Sequence, residues 1–231
     1  MLLFERDDLL AVAKTAGVSM ATSSKNEKSE EEVIGRLVGS DRAAAGTLFL
    51  VHRLDVGTSG VVLLAKSVAA HRALSLAFQN RRTRKTYRAI AWGYPRPAQG
   101  TWTDPLGRDP KDGRKMKVRA DGKEAITRYR TLSRLPSVAD LLLQPETGRT
   151  HQIRVHLSAH GHPIVGDDLY GGATRWRGVR IRAHRQLLAS AERPLLHAER
   201  IEIPDLGIDV LAPLPEDYAR VLARLTPSPS D

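Results

Sequence analysis

The stretch His52-Arg53-Leu54-Asp55-Val56-Gly57-Thr58-Ser59-Gly60 sets one carboxylate among small and polar side chains, just ahead of the apolar run Val61-Val62-Leu63-Leu64. Asp55 is the only side chain of that stretch with a negative charge at neutral pH, and Arg53 stands two residues before it. Thr58-Ser59-Gly60 is expected to make a tight turn, because its hydroxyls can bond nearby backbone and glycine tolerates unusual dihedrals. An aspartate so placed either caps its own loop or serves as a nucleophile or base, and this segment alone leaves both open.

Other chemistries find less support. His151, His156, His160 and His162 invite a metal, but on a helix only 156 and 160 share a face and no carboxylate falls between them, so a polar, hydrogen-bonding role is expected and no metal. Ser59 lacks the Gly-x-Ser-x-Gly elbow of a serine hydrolase. No dinucleotide or triphosphate loop pattern occurs, so a cofactor-free reaction is expected. With no cysteine in the chain, disulfides, thiolate metal sites and cysteine nucleophiles are excluded. Asp55 remains, with Tyr87 and Arg154 as the best supporting side chains in the other distinctive segments.

The chain carries 36 Lys and Arg against 26 Asp and Glu, a formal charge of +10, which is the electrostatic footprint of a polyanion binder. Five basic residues fall in Arg81-Arg82-Thr83-Arg84-Lys85-Thr86-Tyr87-Arg88, and another five between Arg175 and Arg185 with no acid among them. Two such runs suit a phosphate track. Charges at Glu5 to Asp8 sit where a signal peptide needs its apolar core, and no apolar run is long enough to span a bilayer, so a soluble, cytoplasmic protein without membrane contact is expected. At 231 residues one large domain is favoured.

The elements that must carry these residues follow from pattern. Residues 9–13, 48–51 and 61–65 read as short apolar strands, the last two flanking the Asp55 loop. Residues 23–32 are polar, and Ser29-Glu30-Glu31-Glu32 is a capping-box pattern opening a helix through Val33, Ile34 and Leu37. Ser67 is expected to cap a helix to about Asn80, with Leu74, Ala77 and Phe78 on one face. Residues 83–92 alternate as a strand, and the basic excursion 104–122, with Arg114 and Lys115, reads as a mobile loop or hairpin near RNA. Residues 124–132 and 138–144 read as strands. Thr150 as N-cap and Gly161 as C-cap argue a helix between them, although Ile153, Val155 and Leu157 alternate like a strand. A short helix at 186–191, closing strands at 195–203 and 208–211, a last helix, and a disordered tail at 226–231 complete the chain.

Three motifs in order carry a resemblance. His52-Arg53-Leu54-Asp55-x-x-Thr58-Ser59-Gly60 with Ala65-Lys66, then Lys85-x-Tyr87-x-Ala89, then Gly148-Arg149-Thr150-His151-Gln152-Ile153-Arg154-Val155-His156 followed by Gly161-His162-Pro163-Ile164-x-Gly166-Asp167, resemble the motifs of the RluA-type RNA pseudouridine synthases. The likeness runs over nearly the whole chain. Lys14-Thr15 stands where that family usually has Lys-Pro, and the Arg-rich stretch 174–192 is longer than the corresponding link in many members.

The resemblance implies an α+β fold, a mixed, mainly antiparallel central sheet flanked by helices with an RNA-binding cleft, as one catalytic domain over residues 1–225 without a separate N-terminal S4-type RNA-binding domain. It implies isomerisation of uridine to pseudouridine in structured RNA, a tRNA or rRNA stem-loop; a non-catalytic RNA-binding or chaperone protein on the same fold is the alternative, and since nothing in the sequence suggests an obligate partner a monomer is expected. By the same carry-over Asp55 is the catalytic carboxylate, Tyr87 packs on the target base, Arg154 pairs with Asp55, and Arg53 helps displace the base from its stack. Arg81, Arg82, Arg84, Lys85, Arg114 and Lys115 are the expected RNA backbone contacts.

Overall fold

A computed structural model describes residues 1–20, 30–41 and 47–226. The chain gathers into two compact units, Met1–Lys85 with Ala198–Pro213, and Thr86–His197 with the chain from Leu214 onward. The β-structure is mixed and mostly antiparallel, and five α-helices are described with it, the α+β class that the motifs imply.

In the first unit β1 (Leu2–Glu5), β2 (Leu9–Lys14), β4 (Ser59–Ala65) and β11 (Leu196–Ile203, from Ala198 on in this unit) are hydrogen-bonded in that order, with the two-residue β3 (Phe49–Leu50) on β4 and β12 (Ile208–Leu211) on β11. All seven residues of β4 are buried, which is why its sequence is a continuous apolar run instead of an alternation. Helix α1 (Glu30–Val38) has three glutamates in its first turn and Arg36 in its last, the polarity that suits the helix dipole, and it buries Val33, Ile34 and Leu37. The expected loop from Ser23 and the Ser29 cap lie outside the described residues. Helix α2 (Val68–Gln79) starts where Ser67 Oγ accepts the Ala70 N–H at 3.1 Å, as its sequence predicts. Its Ala70, Leu74 and Ala77 pack with Leu9, Leu63, Ile201 and Val210.

The second unit has the antiparallel order β5 (Arg84–Trp92), β10 (Val138–Pro145), β9 (Thr127–Leu135) and β6 (Gln99–Trp102). Tyr87 stands opposite Leu143, and Leu143 opposite Tyr129. The basic excursion is a hairpin of β7 (Leu106–Arg108) and β8 (Met116–Val118). Helix α3 (Gln152–Ala159), a 3-10 turn at Arg175–Gly178, α4 (Arg182–Ala189) and α5 (Glu216–Leu225) complete the unit around a core that includes Ile90, Leu141, Leu157, Ile164 and Tyr218.

Several elements depart from the sequence expectation. Strands β1 and β6 are not among the expected elements: β1, Leu2-Leu3-Phe4-Glu5, leaves three of its four residues exposed, and β6, Gln99-Gly100-Thr101-Trp102, has no apolar run. Strand β9 begins and ends three residues later than read, with Thr127, Tyr129 and Leu135 inward. Helix α4 starts at Arg182, four residues early, without an acid in its first turn to announce it. Thr150 is not the N-cap of α3: His151 holds that place in the left-handed region at φ +54° and makes no side-chain cap. Gly161, at φ +84°, does follow the helix end. The expected tail from Pro227 lies outside the described residues.

Candidate active site

Asp55 sits on the connection from β3 to β4. The tight turn that holds it is not at Thr58 to Gly60 but one step earlier: Thr58 N–H donates to Asp55 O at 3.0 Å across Val56-Gly57, and Ser59 and Gly60 already belong to β4. Gly60 stands at φ +126°, and a Cβ there would lie 2.1 Å from Ala198 O, so close approach of two backbones, not a turn, explains this glycine. Leu54 points inward at 8% exposure, leaving Arg53 exposed and Asp55 half-buried on either side of it. In an extended segment, burying the middle residue turns both neighbours the other way.

Lys14 fixes the turn from beneath. It is 2% exposed, and its three ammonium donors meet Thr58 O at 2.8 Å, Thr15 O at 3.0 Å and Val56 O at 3.2 Å. Val56 O also accepts Gly17 N–H at 2.8 Å. On the other side of Leu54, His52 stacks on Phe78 with ring centroids 4.8 Å apart, and its Nε2 accepts Leu63 N–H at 3.0 Å. That bond needs an unprotonated nitrogen. Burial, aided by the charge of Lys85, accordingly pushes the His52 pKa down to about 3.

The basic residues of this unit differ among themselves. Arg81 and Arg84 are exposed, Arg82 is exposed but paired with Asp205 at 3.0 Å, and Lys85 is largely buried, its pKa pushed down to about 8 by desolvation and then by Arg81.

In the second unit Tyr87 is half-buried on β5 beside the apolar core. Arg154 is 7% exposed on α3 and grips Asp167, which is fully buried, through two parallel bonds, Nε to Oδ2 at 2.8 Å and Nη2 to Oδ1 at 2.9 Å. Asp167 Oδ1 also accepts Leu169 and Tyr170 N–H, and the guanidinium lies 5.0 Å from the Tyr170 ring. Such a fork fixes the plane of the guanidinium as well as its position. Gln152 and His156 on the same helix are buried too: Gln152 bonds Thr147, Arg149, Ile126 and Thr127, and His156 bonds Thr127 and Asp104 O. His151 meets Tyr170 Oη, His160 meets Asp104 and His162 meets Trp92 O, so each of the four histidines is used in a hydrogen bond. Arg114 and Lys115 lie on the hairpin, both against Asp112, at 3.0 and 3.9 Å.

Asp55, Arg53, Arg81, Arg82, Arg84 and Lys85 thus belong to the first unit, and Tyr87, Arg154, Arg114 and Lys115 to the second. Sequence reasoning gave Lys14, His52 and Asp167 no role, His52 and Asp167 standing within the motifs and Lys14 beside a departure from them. Lysine ending the apolar run Leu9-Leu10-Ala11-Val12-Ala13 was the available signal for Lys14, since a buried lysine must be partnered.

The first unit thus holds a carboxylate on a clamped β-turn and the second a helix with a buried, forked arginine, both within segments that match a family of RNA-modifying enzymes. Residues 8–159 match the RNA pseudouridylate synthase family, and the chain belongs to it. It is 37% identical over 229 residues to ribosomal large subunit pseudouridine synthase D of Xanthomonas campestris pv. campestris, covering 96% of this chain and 68% of that one. It is 35% identical over 222 residues to the dual-specificity RNA pseudouridine synthase RluA of Escherichia coli K12, covering 94% of each. Among solved structures, human RNA pseudouridylate synthase domain containing 4 superposes with a TM-score of 0.79 at 28% identity, over 97% of this chain and 92% of that one. The protein is an RNA pseudouridine synthase, and its reaction is the isomerisation of uridine in RNA. Among the described residues no helix is long and apolar enough to cross a membrane.

Proposed function

We propose that Asp55 is the carboxylate that drives this isomerisation, that Arg154 supplies its opposing charge, that Tyr87 is the platform for the target uracil and that Arg53 helps turn the base out of its stack. In this proposal residues 1–225 act as one catalytic domain, a cytoplasmic monomer that needs no cofactor, on a stem-loop of ribosomal or transfer RNA. The Xanthomonas relative, a ribosomal large subunit pseudouridine synthase, makes ribosomal RNA the first pool to test.

The observation that carries the proposal is the clamped turn at Asp55: the backbone bond from Thr58 and the Lys14 ammonium hold its carbonyl neighbours in place, which suits a group that must meet a sugar carbon or its proton repeatedly. The reaction breaks the bond from C1′ to N1, lets the freed uracil turn while bound, joins C5 to C1′ and releases the C5 proton as N1 gains one. An ionised carboxylate serves the first step by attack at C1′ or by taking a sugar proton. Arg154, oriented by its fork to Asp167, supports the ionised form. Stacking of uracil on an aromatic ring is worth roughly 1–3 kcal/mol, against the few kcal/mol that leaving the RNA stack costs. Phosphate contacts from Arg81, Arg82, Arg84, Lys85, Arg114 and Lys115 offset the remainder.

The test is tritium release from C5-tritiated uridine in separate ribosomal and transfer RNA pools. Wild type is expected to release tritium and Asp55→Ala to release none while binding RNA with near wild-type affinity. Release by the Ala variant at the wild-type rate sinks the assignment of Asp55.

A further inference from the structure

The surface carries two basic segments in the second unit, and they differ in what balances them. The hairpin region brings its own acids: Arg114 and Lys115 face Asp112, Lys117 faces Asp109, and Arg119 faces Asp121 at 2.5 Å. The segment Thr174-Arg175-Trp176-Arg177-Gly178-Val179-Arg180-Ile181-Arg182-Ala183-His184-Arg185 contains no acid at all, and its five arginines equal half of the formal charge of +10. Among the described residues no acidic side chain pairs with any of these five; Arg175 donates to Gly161 O at 2.9 Å, and Arg177 lies 5.6 Å from the Trp176 ring.

The segment is nevertheless built, not loose. Val179 and Leu188 are buried at 5% and 2% exposure in the core of the unit, with Trp176 and Leu187 packed against them. Those apolar feet hold the 3-10 turn and α4 down and leave Arg177, Arg180 and Arg182 exposed, with Ile181 at 55% exposure between the last two. Folding gains nothing from this charge pattern. Like charges so closely spaced repel within the Debye length of about 8 Å at physiological salt. Arginine in the first turn of a helix also opposes the helix dipole, and α4 begins with Arg182 and has no acid in that turn. A surface that keeps uncompensated arginines on a packed platform is suited to a polyanion that supplies the missing charge on binding.

We infer that residues 175–185 form a second RNA-docking surface, which grips the phosphodiester backbone of the substrate through Arg177, Arg180, Arg182 and Arg185, separately from the hairpin. RNA is favoured over an acidic protein because guanidinium pairs with phosphate in a two-pronged fashion and the family's substrate is already RNA. The inference builds on that RNA chemistry but does not require Asp55 to be the catalytic group. It also gives the expected hairpin contacts a smaller share, since Arg114 and Lys115 must exchange Asp112 for phosphate.

The experiment compares wild type, Arg180→Gln/Arg182→Gln/Arg185→Gln and Arg114→Gln/Lys115→Gln, using anisotropy of a fluorescein-labelled RNA stem-loop across a salt series, with circular dichroism to confirm the fold. Each lost phosphate contact lowers the slope of log affinity against log salt by roughly 0.7–0.9. The triple variant is expected to lose about 2–3 from that slope and roughly ten-fold or more in affinity, more than the hairpin variant loses. In tritium release the deficit falls on KM. The matched Lys triple keeps the slope, because attraction to phosphate survives while the fork is lost. An unchanged slope and affinity in the Gln triple overturns the inference, as does loss of binding to phosphatidylglycerol vesicles with RNA affinity intact. Wild type that binds RNA through this segment yet releases no tritium contradicts the catalytic assignment and leaves the docking surface standing.

Discussion

Lys14→Met isolates what the clamp beneath Asp55 does. Methionine keeps an unbranched stem in the same volume and removes the three donors that reach Thr15, Val56 and Thr58. The three carbonyls do not suffer alike. Thr15 is exposed and turns to water, and Val56 O keeps its bond from Gly17 at 2.8 Å. The carbonyl of Thr58, a residue 2% exposed, loses its 2.8 Å donor. A buried carbonyl left unpaired costs about 1–3 kcal/mol, and the other two bonds add several tenths each. Against this stands the relief of no longer desolvating an ammonium. The net is about 2 kcal/mol, a factor of roughly 30 in the folding equilibrium.

With an urea m-value of about 2–3 kcal/mol/M, that loss lowers the unfolding midpoint by about 0.7–1 M at unchanged slope. The turn has lost its support from below, and a misplacement of about 1 Å at a reacting group costs on the order of 100-fold. Tritium release at saturating RNA should therefore fall by between 10- and 100-fold on that same scale. A variant with the wild-type midpoint and the wild-type kcat refutes the reasoning at both steps. A lowered midpoint with full kcat refutes only the link from the clamp to Asp55.

Two further outcomes follow from the buried polar groups. Asp167→Asn keeps one acceptor for Arg154 but removes the charge from a pair 9% and 0% exposed, so a loss of about 2–4 kcal/mol in urea unfolding is expected together with a fall in kcat, and a stability within about 0.5 kcal/mol of wild type counts against the fork as an anchor. His52 has its pKa depressed in the folded chain to about 3 from an ordinary 6.5, so the unfolded chain takes up the proton first: the His52 contribution to stability is whole above pH 6.5 and drains away as pH falls toward 3. His52→Gln retains an acceptor for Leu63 N–H without that proton, so its stability should decline less than that of wild type over this window; parallel acid profiles would contradict the assignment.

Motif order made the family legible in the sequence, and the apolar runs at β2 and β4 and the Ser67 cap placed their elements closely. What escaped has physical causes. Helix α3 buries six consecutive residues, Gln152 to Leu157, so its sequence shows no amphipathic stripe and imitates a strand. Gly60 reads locally as a turn glycine, and only the backbone of Ala198, far along the chain, reveals why no side chain fits. Asp167 lies thirteen residues beyond Arg154, and nothing in the spacing says that the two meet. Charge counting located the basic runs but could not tell paired from unpaired cations, since pairing depends on which acids the fold brings near.

The polar groups buried beside the motifs share one physical purpose. Apolar burial is non-directional, so it holds a segment in the core without fixing its rotation. Leu54 and the β4 run bury the stretch around Asp55, but the backbone of that turn is tied by oriented bonds from Thr58 and Lys14, and His52 ties the residues before it to Leu63 of β4. Helix α3 repeats the division: Ile153, Val155 and Leu157 bury it, whereas Gln152, Arg154 and His156 fix its angle through named partners. Replacing one of these apolar residues by a smaller one should therefore cost stability before geometry, and removing one of the polar ties should cost geometry even where stability survives.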